Sequence, residues 1–169
     1  MNSKLRLYAL ERLRFYSDNL QLEEDQEFKL DEKLFEILIC LLKDHENIYI
    51  KYEILEIFCN FCTKSTNCCE SFLDIDYIST IYALLNSSNN VFIEKGLTLI
   101  GNIIISLNEA YEYIITHFPL EIKLKELLLC GKFDNDNLIC SNILWVLKTI
   151  IKEANIESLE AVKYYLIKI

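Results

Sequence analysis

The sequence predicts an all-α fold in which similar helical units stack into a right-handed α-solenoid of about three to four repeats. Three observations predict it. Of the 169 residues, 52% are hydrophobic, enough for a continuous core and against disorder. There are three glycines and one proline, too few for the turns of an all-β chain of this length. Two apolar registers also recur along the chain with a common period.

The first register joins LYALERLRFYS (7–17), LEIFCNFCTKS (55–65), LTLIGNIIISL (97–107) and LWVLKTIIKEA (144–154). All four carry apolar residues at their first, fourth and seventh positions, and their starts lie 48, 42 and 47 residues apart. The second joins LFEILICLL (34–42), YISTIYALL (77–85) and EIKLKELLL (121–129), spaced by 43 and 44 residues.

Each element follows from this pattern. A first helix is expected over about 4–16, followed by a charged loop with EEDQE at 23–27. Helices then alternate between the registers over about 31–43, 46–63, 75–86, 90–107, 120–131, 136–153 and 157–169, with short helices at about 67–73 and 109–117. Asp31 and Asp74 are placed to cap the helices that follow them. Pro119 suits a first helical turn, where its missing N–H costs nothing. NSSNN (86–90) and GKFDNDN (131–137) break the chain between helix pairs. One domain over 1–169 results, with units at about 1–17 (partial), 31–65, 67–107, 109–154 and 157–169 (partial). A short, a middle and a long helix per unit of 42–47 residues is the armadillo/HEAT pattern.

Composition narrows function. The net charge is −9 with no Lys/Arg block, a poor match to phosphate backbones and a better one to a basic protein partner. No uncharged apolar run reaches membrane-spanning length, and the N-terminus lacks a signal-peptide core. Cytoplasm or nucleus is the expected location. Seven cysteines are present. Cys59, Cys62, Cys68 and Cys69 have no standard zinc-site spacing, and Cys59 and Cys62 fall on apolar positions of a helix, so structural cysteines are expected rather than a metal site. No nucleotide-binding, hydrolase or metalloprotease motif occurs. The sequence therefore indicates no catalytic residue, metal or cofactor.

Around the long helices the sequence resembles importin-α, the armadillo-repeat adaptor that carries nuclear-localisation peptides. LTLIGNIII, LEIFCNFCT and LWVLKTIIK resemble that family's third-helix pattern, best over about 46–169. The resemblance implies that Asn60 and Asn102 face a concave groove and hydrogen-bond the backbone of an extended peptide. It implies that Trp145 packs on the stem of a peptide lysine or arginine. Physically, an amide both donates and accepts, and an indole face holds a cation and its methylenes. A solvated amide at Asn102 and plain packing at Trp145 are the alternatives. No repeat keeps both family residues: the tryptophan places hold Tyr8, Glu56, Thr98 and Trp145, and the asparagine places hold Arg12, Asn60, Asn102 and Thr149. The expected groove is therefore Asn60, Asn102, Trp145, Glu56, Thr98 and Thr149, binding an extended, basic segment as in nuclear protein import. Gly101, in the middle of a long helix, is expected to let the next helix approach.

The second expectation concerns the ends. The chain begins on a third-type helix and stops inside a second-type one, and open solenoid ends need cover. Leu159, Val162, Leu166 and Ile169 form one helical stripe at the C-terminal edge, expected to dock a partner or a second copy. The alternative function is accordingly a scaffold subunit of a larger complex, held through its ends, with a degenerate groove.

Overall fold

The computed structural model describes residues 3–22, 28–107, 109–129 and 137–153. Among these are α1 (Ser3–Asn19), α2 (Glu32–Asp44), α3 (Ile48–Cys62), α4 (Thr66–Glu70), a 3-10 turn (Ser71–Leu73), α5 (Ile75–Leu84), α6 (Asn90–Ser106), α7 (Ala110–His117), α8 (Leu120–Leu129) and α9 (Asn137–Glu153). The expected helices within this span appear in the expected order. The helix expected over 157–169, with Leu159, Val162, Leu166 and Ile169, lies outside the described residues, as does the 23–27 loop.

Helix starts are set locally. Asp31 accepts from Leu34 N at 3.0 Å and Asp74 from Asp76 N at 2.8 Å. Asn47 and Asn89 do the same for α3 and α6, accepting from Tyr49 N at 2.9 Å and Val91 N at 3.0 Å. Each cap satisfies an amide with no partner inside its helix. Pro119 stands just before α8, one place earlier than expected, and its carbonyl accepts from Lys123 N at 3.0 Å.

The long helices pack side by side in the order α1, α3, α6, α9. A second layer covers them: α2 lies on α3 and α5, α5 on α6, and α8 on α9. The apolar stripes meet in this order because their spacing puts them on one helical face. Ile50, Ile54 and Ile57 of α3, Leu97, Ile100 and Ile104 of α6, and Ile143, Val146 and Ile150 of α9 are all fully buried. Each such side chain stabilises by roughly 1.5–3 kcal/mol relative to exposure. Phe35, Phe58 and Phe72 form a ring cluster with centroids 4.8–5.2 Å apart, which ties α2 and α3 to the 3-10 turn.

Gly101 now has a physical reason. A Cβ built there would lie 2.5 Å from Trp145 Cη2 and 2.9 Å from its Cε3. The indole of α9 thus rests on the bare backbone of α6. Gly96 makes a milder version of the same contact with α5, where a Cβ would sit 3.1 Å from Leu84 Cβ.

Gly101→Ala tests the contact. In an isolated helix alanine is favoured by about 1 kcal/mol. Here the added methyl meets the indole, and overpacking of about 1–3 kcal/mol outweighs that gain. Urea denaturation should show Gly101→Ala less stable than the parent, but more stable when introduced into Trp145→Leu. A stabilising Gly101→Ala in the parent would refute the contact.

Candidate functional site

Three rows of side chains run across the long helices at matching register. Glu53, Lys95 and Asn142 form one row. Three residues further along are Glu56, Thr98 and Trp145, and four beyond those are Asn60, Asn102 and Thr149. Offsets of three and four keep each helix's members on one face.

Most of these polar groups reach back to the preceding long helix. Asn142 Nδ2 donates to Thr98 Oγ1 at 3.3 Å. Lys95 Nζ pairs with Glu56 Oε1 at 2.8 Å and with Glu94 Oε1 at 3.3 Å, and lies over the Tyr52 ring at 6.0 Å. Asn102 Nδ2 donates to Cys59 O at 3.4 Å. Asn60 Nδ2 donates to Ser17 Oγ at 3.1 Å and also to Asp18 Oδ1. Lys64 Nζ donates to the Ser17 and Asp18 carbonyls beside it, at 2.5 and 2.7 Å.

The predicted residues therefore fall into two groups. Asn60, Glu56, Thr98 and Trp145 are partly exposed along the stripe. Asn102 shares their face but is only 9% exposed, with its amide nitrogen on Cys59 O rather than open to solvent. Thr149, expected on the groove surface, is 5% exposed, and its hydroxyl donates to Trp145 O at 3.0 Å. That corrects its expected placement: packing around α9 buries the side chain, and its hydroxyl is satisfied by its own helix, as that of the partly exposed Thr98 is by Glu94 O at 3.0 Å. Trp145 packs its six-membered ring against Gly101 and is partly buried.

Sequence reading passed over Arg14, Tyr52, Lys95 and Asn142. The available signal was the charge reversal at one register position, Glu53 in α3 against Lys95 in α6.

Electrostatics of the stripe follow from partial burial. Glu53 is 8% exposed. Arg14 Nε lies 3.1 Å from its Oε2 but does not align an N–H with it, so the contact is Coulombic and Oε2 accepts no hydrogen bond. Desolvation raises the Glu53 pKa above the usual carboxylate range, with Arg14 opposing it. Glu56 has its pKa lowered: burial opposes this, but hydrogen bonds from Lys95 and Tyr52 outweigh it. Glu53, Glu56 and Glu94 against Arg14 and Lys95 leave one excess negative charge. A cavity of about 370 Å³ opens beside them, lined by Tyr49, Tyr52, Glu53 and Phe92.

Cys59 lies beside this stripe's charges, its Sγ 3.9 Å from Lys95 O. Cys59, Cys62, Cys68 and Cys69 are buried and free. Burial pushes the Cys59 thiol up to about 12 and also raises Cys62. Among the described residues no group of three or more His, Cys, Asp or Glu side chains could hold a metal ion. No helix among them is long and apolar enough to cross a membrane.

Arg14→Met tests the Glu53 contact. With its pKa raised, Glu53 weakens the fold as pH rises through that pKa and the carboxylate ionises, and Arg14 limits the loss. Arg14 is about a third exposed, so the substitution should cost only about 1–2 kcal/mol near pH 7. The deficit should shrink toward about pH 4 as Glu53 takes up a proton. Denaturation at both pH values checks this, and a pH-independent deficit would refute it.

No protein-family model and no curated protein matches the chain. Among solved structures, a designed armadillo repeat protein in complex with the peptide (KR)4 superposes with a TM-score of 0.72 at 19% identity. The match covers 94% of this chain and 62% of the designed protein. This likeness shows the fold, and the chain is an all-α, armadillo-type solenoid.

Proposed function

We propose that this chain is a non-catalytic peptide-binding module whose stripe along α3, α6 and α9 takes an extended segment carrying lysine or arginine, in the manner of importin-α in nuclear protein import. The observation that carries the reading is the alignment of Glu56, Asn60, Thr98 and Trp145 on one face beside an acidic excess. Asn60 offers its amide to a peptide backbone directly, and Asn102, 9% exposed, offers one on release from Cys59 O. Trp145 offers an aromatic face to a cation stem. The complex of the structural neighbour with (KR)4 supports the same chemistry. A role inside the cell, in cytoplasm or nucleus, belongs to this proposal.

A second reading, a scaffold subunit docked through its ends, has one observation in its favour. Leu5, Tyr8, Phe15 and Tyr16 of α1 are 51–60% exposed. Large apolar side chains clustered on one end usually mark an interface.

Titration of the intact chain with (KR)4, followed by fluorescence anisotropy, tests the first reading. Binding should weaken as salt shortens the screening length toward about 3 Å near 1 M. Asn60→Ala combined with Asn102→Ala should cost about 1 kcal/mol per lost hydrogen bond, on the order of tenfold or more in Kd. Undiminished binding by the double variant, at an unchanged melting temperature, would overturn the groove reading. Absence of (KR)4 binding together with self-association relieved by Tyr8→Asp would favour the scaffold.

A further inference from the structure

We infer that Lys95 is a built-in occupant of the groove's cation position between α3 and α6, and that it decides which segments this position accepts. The inference rests on the peptide-groove reading and adds a specificity-determining residue to it.

Lys95 holds the register place occupied by Glu53 in the preceding unit and Asn142 in the following one. The substitution reverses the charge at one rung of the stripe. Its ammonium does not extend into solvent: the Lys95 side chain is 18% exposed, and those of Glu56 and Glu94 are 18% and 19% exposed. Nζ sits 2.8 Å from Glu56 Oε1 and 3.3 Å from Glu94 Oε1, over the face of Tyr52. A carboxylate pair with an aromatic ring is what a ligand's lysine or arginine would use to bind here. The chain thus supplies, from its own α6, the cation that a basic ligand would bring.

The electrostatics agree with an occupied position. Burial works against the charge on Lys95, yet the hydrogen bond it donates to Glu56 and the field of Glu56 and Glu94 overcome it and hold its pKa above the ordinary lysine value. The acidic residue Glu56, in the place where the related pattern has tryptophan, is neutralised within the fold.

Two consequences follow. A ligand side chain with a positive charge enters this position only by displacing Lys95, at the loss of both short contacts. The preferred segment therefore carries its lysines or arginines elsewhere along the stripe and a neutral or acidic residue opposite Lys95. Without Lys95, the three carboxylates Glu53, Glu56 and Glu94 would face only Arg14 and become a strong cation site.

The test uses the intact chain and the peptide (KR)4, which presents a cation at every position. Lys95→Met should tighten binding about tenfold at low salt, and Lys95→Gln should do the same if the methionine variant folds poorly. Adding Glu56→Gln to Lys95→Met should remove the gain. Lys43→Met, which makes the same change in net charge on α2, should leave affinity unchanged. Lys95 would lose its role if the parent binds (KR)4 and both Lys95 variants bind no better, or if Lys43→Met gives an equal gain; the groove reading would stand. If neither the parent nor the Lys95 variants bind (KR)4, the inference and the groove reading both fall.

Discussion

The structure depends on the packing of each long helix against the one before it in a single register. α1, α3, α6 and α9 meet through fully buried Ile, Leu and Val side chains at three- and four-residue spacing. A helix of this kind has no other partner for its apolar stripe, because the second layer formed by α2, α5 and α8 covers the other side. Stacking therefore supplies most of the stability, as expected for units that cannot bury their faces alone. The Gly101–Trp145 contact sharpens the register, since sliding α9 along α6 would set the indole against a side chain instead of bare backbone.

Polar contacts along the stripe act differently. Lys95 with Glu56 and Glu94, and Arg14 with the buried Glu53, are pairs whose attraction is largely offset by the desolvation of their charges, although removing one partner still costs. Their effect is on specificity. Asn102 to Cys59 O, Asn142 to Thr98 and Asn60 to Ser17 each link one long helix to its predecessor at a separation of 43 or 44 residues. A shift in register would break all of them and leave buried polar groups without partners, a cost greater than the gain from making them. The same contacts engage much of the hydrogen-bonding capacity that a ligand would otherwise meet. In this protein the stripe is partly closed by the chain itself.

The helix ends show how short-range chemistry was legible. Asp31 and Asp74 cap where their spacing from the first apolar residue said they would. Asn47 and Asn89 cap in the same way, and were hidden only because asparagine is common throughout this chain. Thr149 shows the opposite case. It shares its register place with Asn60 and Asn102, but its burial to 5% exposure is set by packing around α9, which no local pattern encodes.

The sequence by itself determined the helices, their period and their order, because apolar spacing and capping act within a few residues. It also placed Asn60, Asn102, Trp145, Glu56 and Thr98 at equivalent positions, since a repeat carries register along the chain. Only the tertiary structure decided what those side chains touch. Lys95 reaches Glu56 and Trp145 covers Gly101 because stacking brings residues 39 and 44 positions apart into contact. Such a contact depends on helix crossing and side-chain reach in three dimensions, neither of which is written in local spacing.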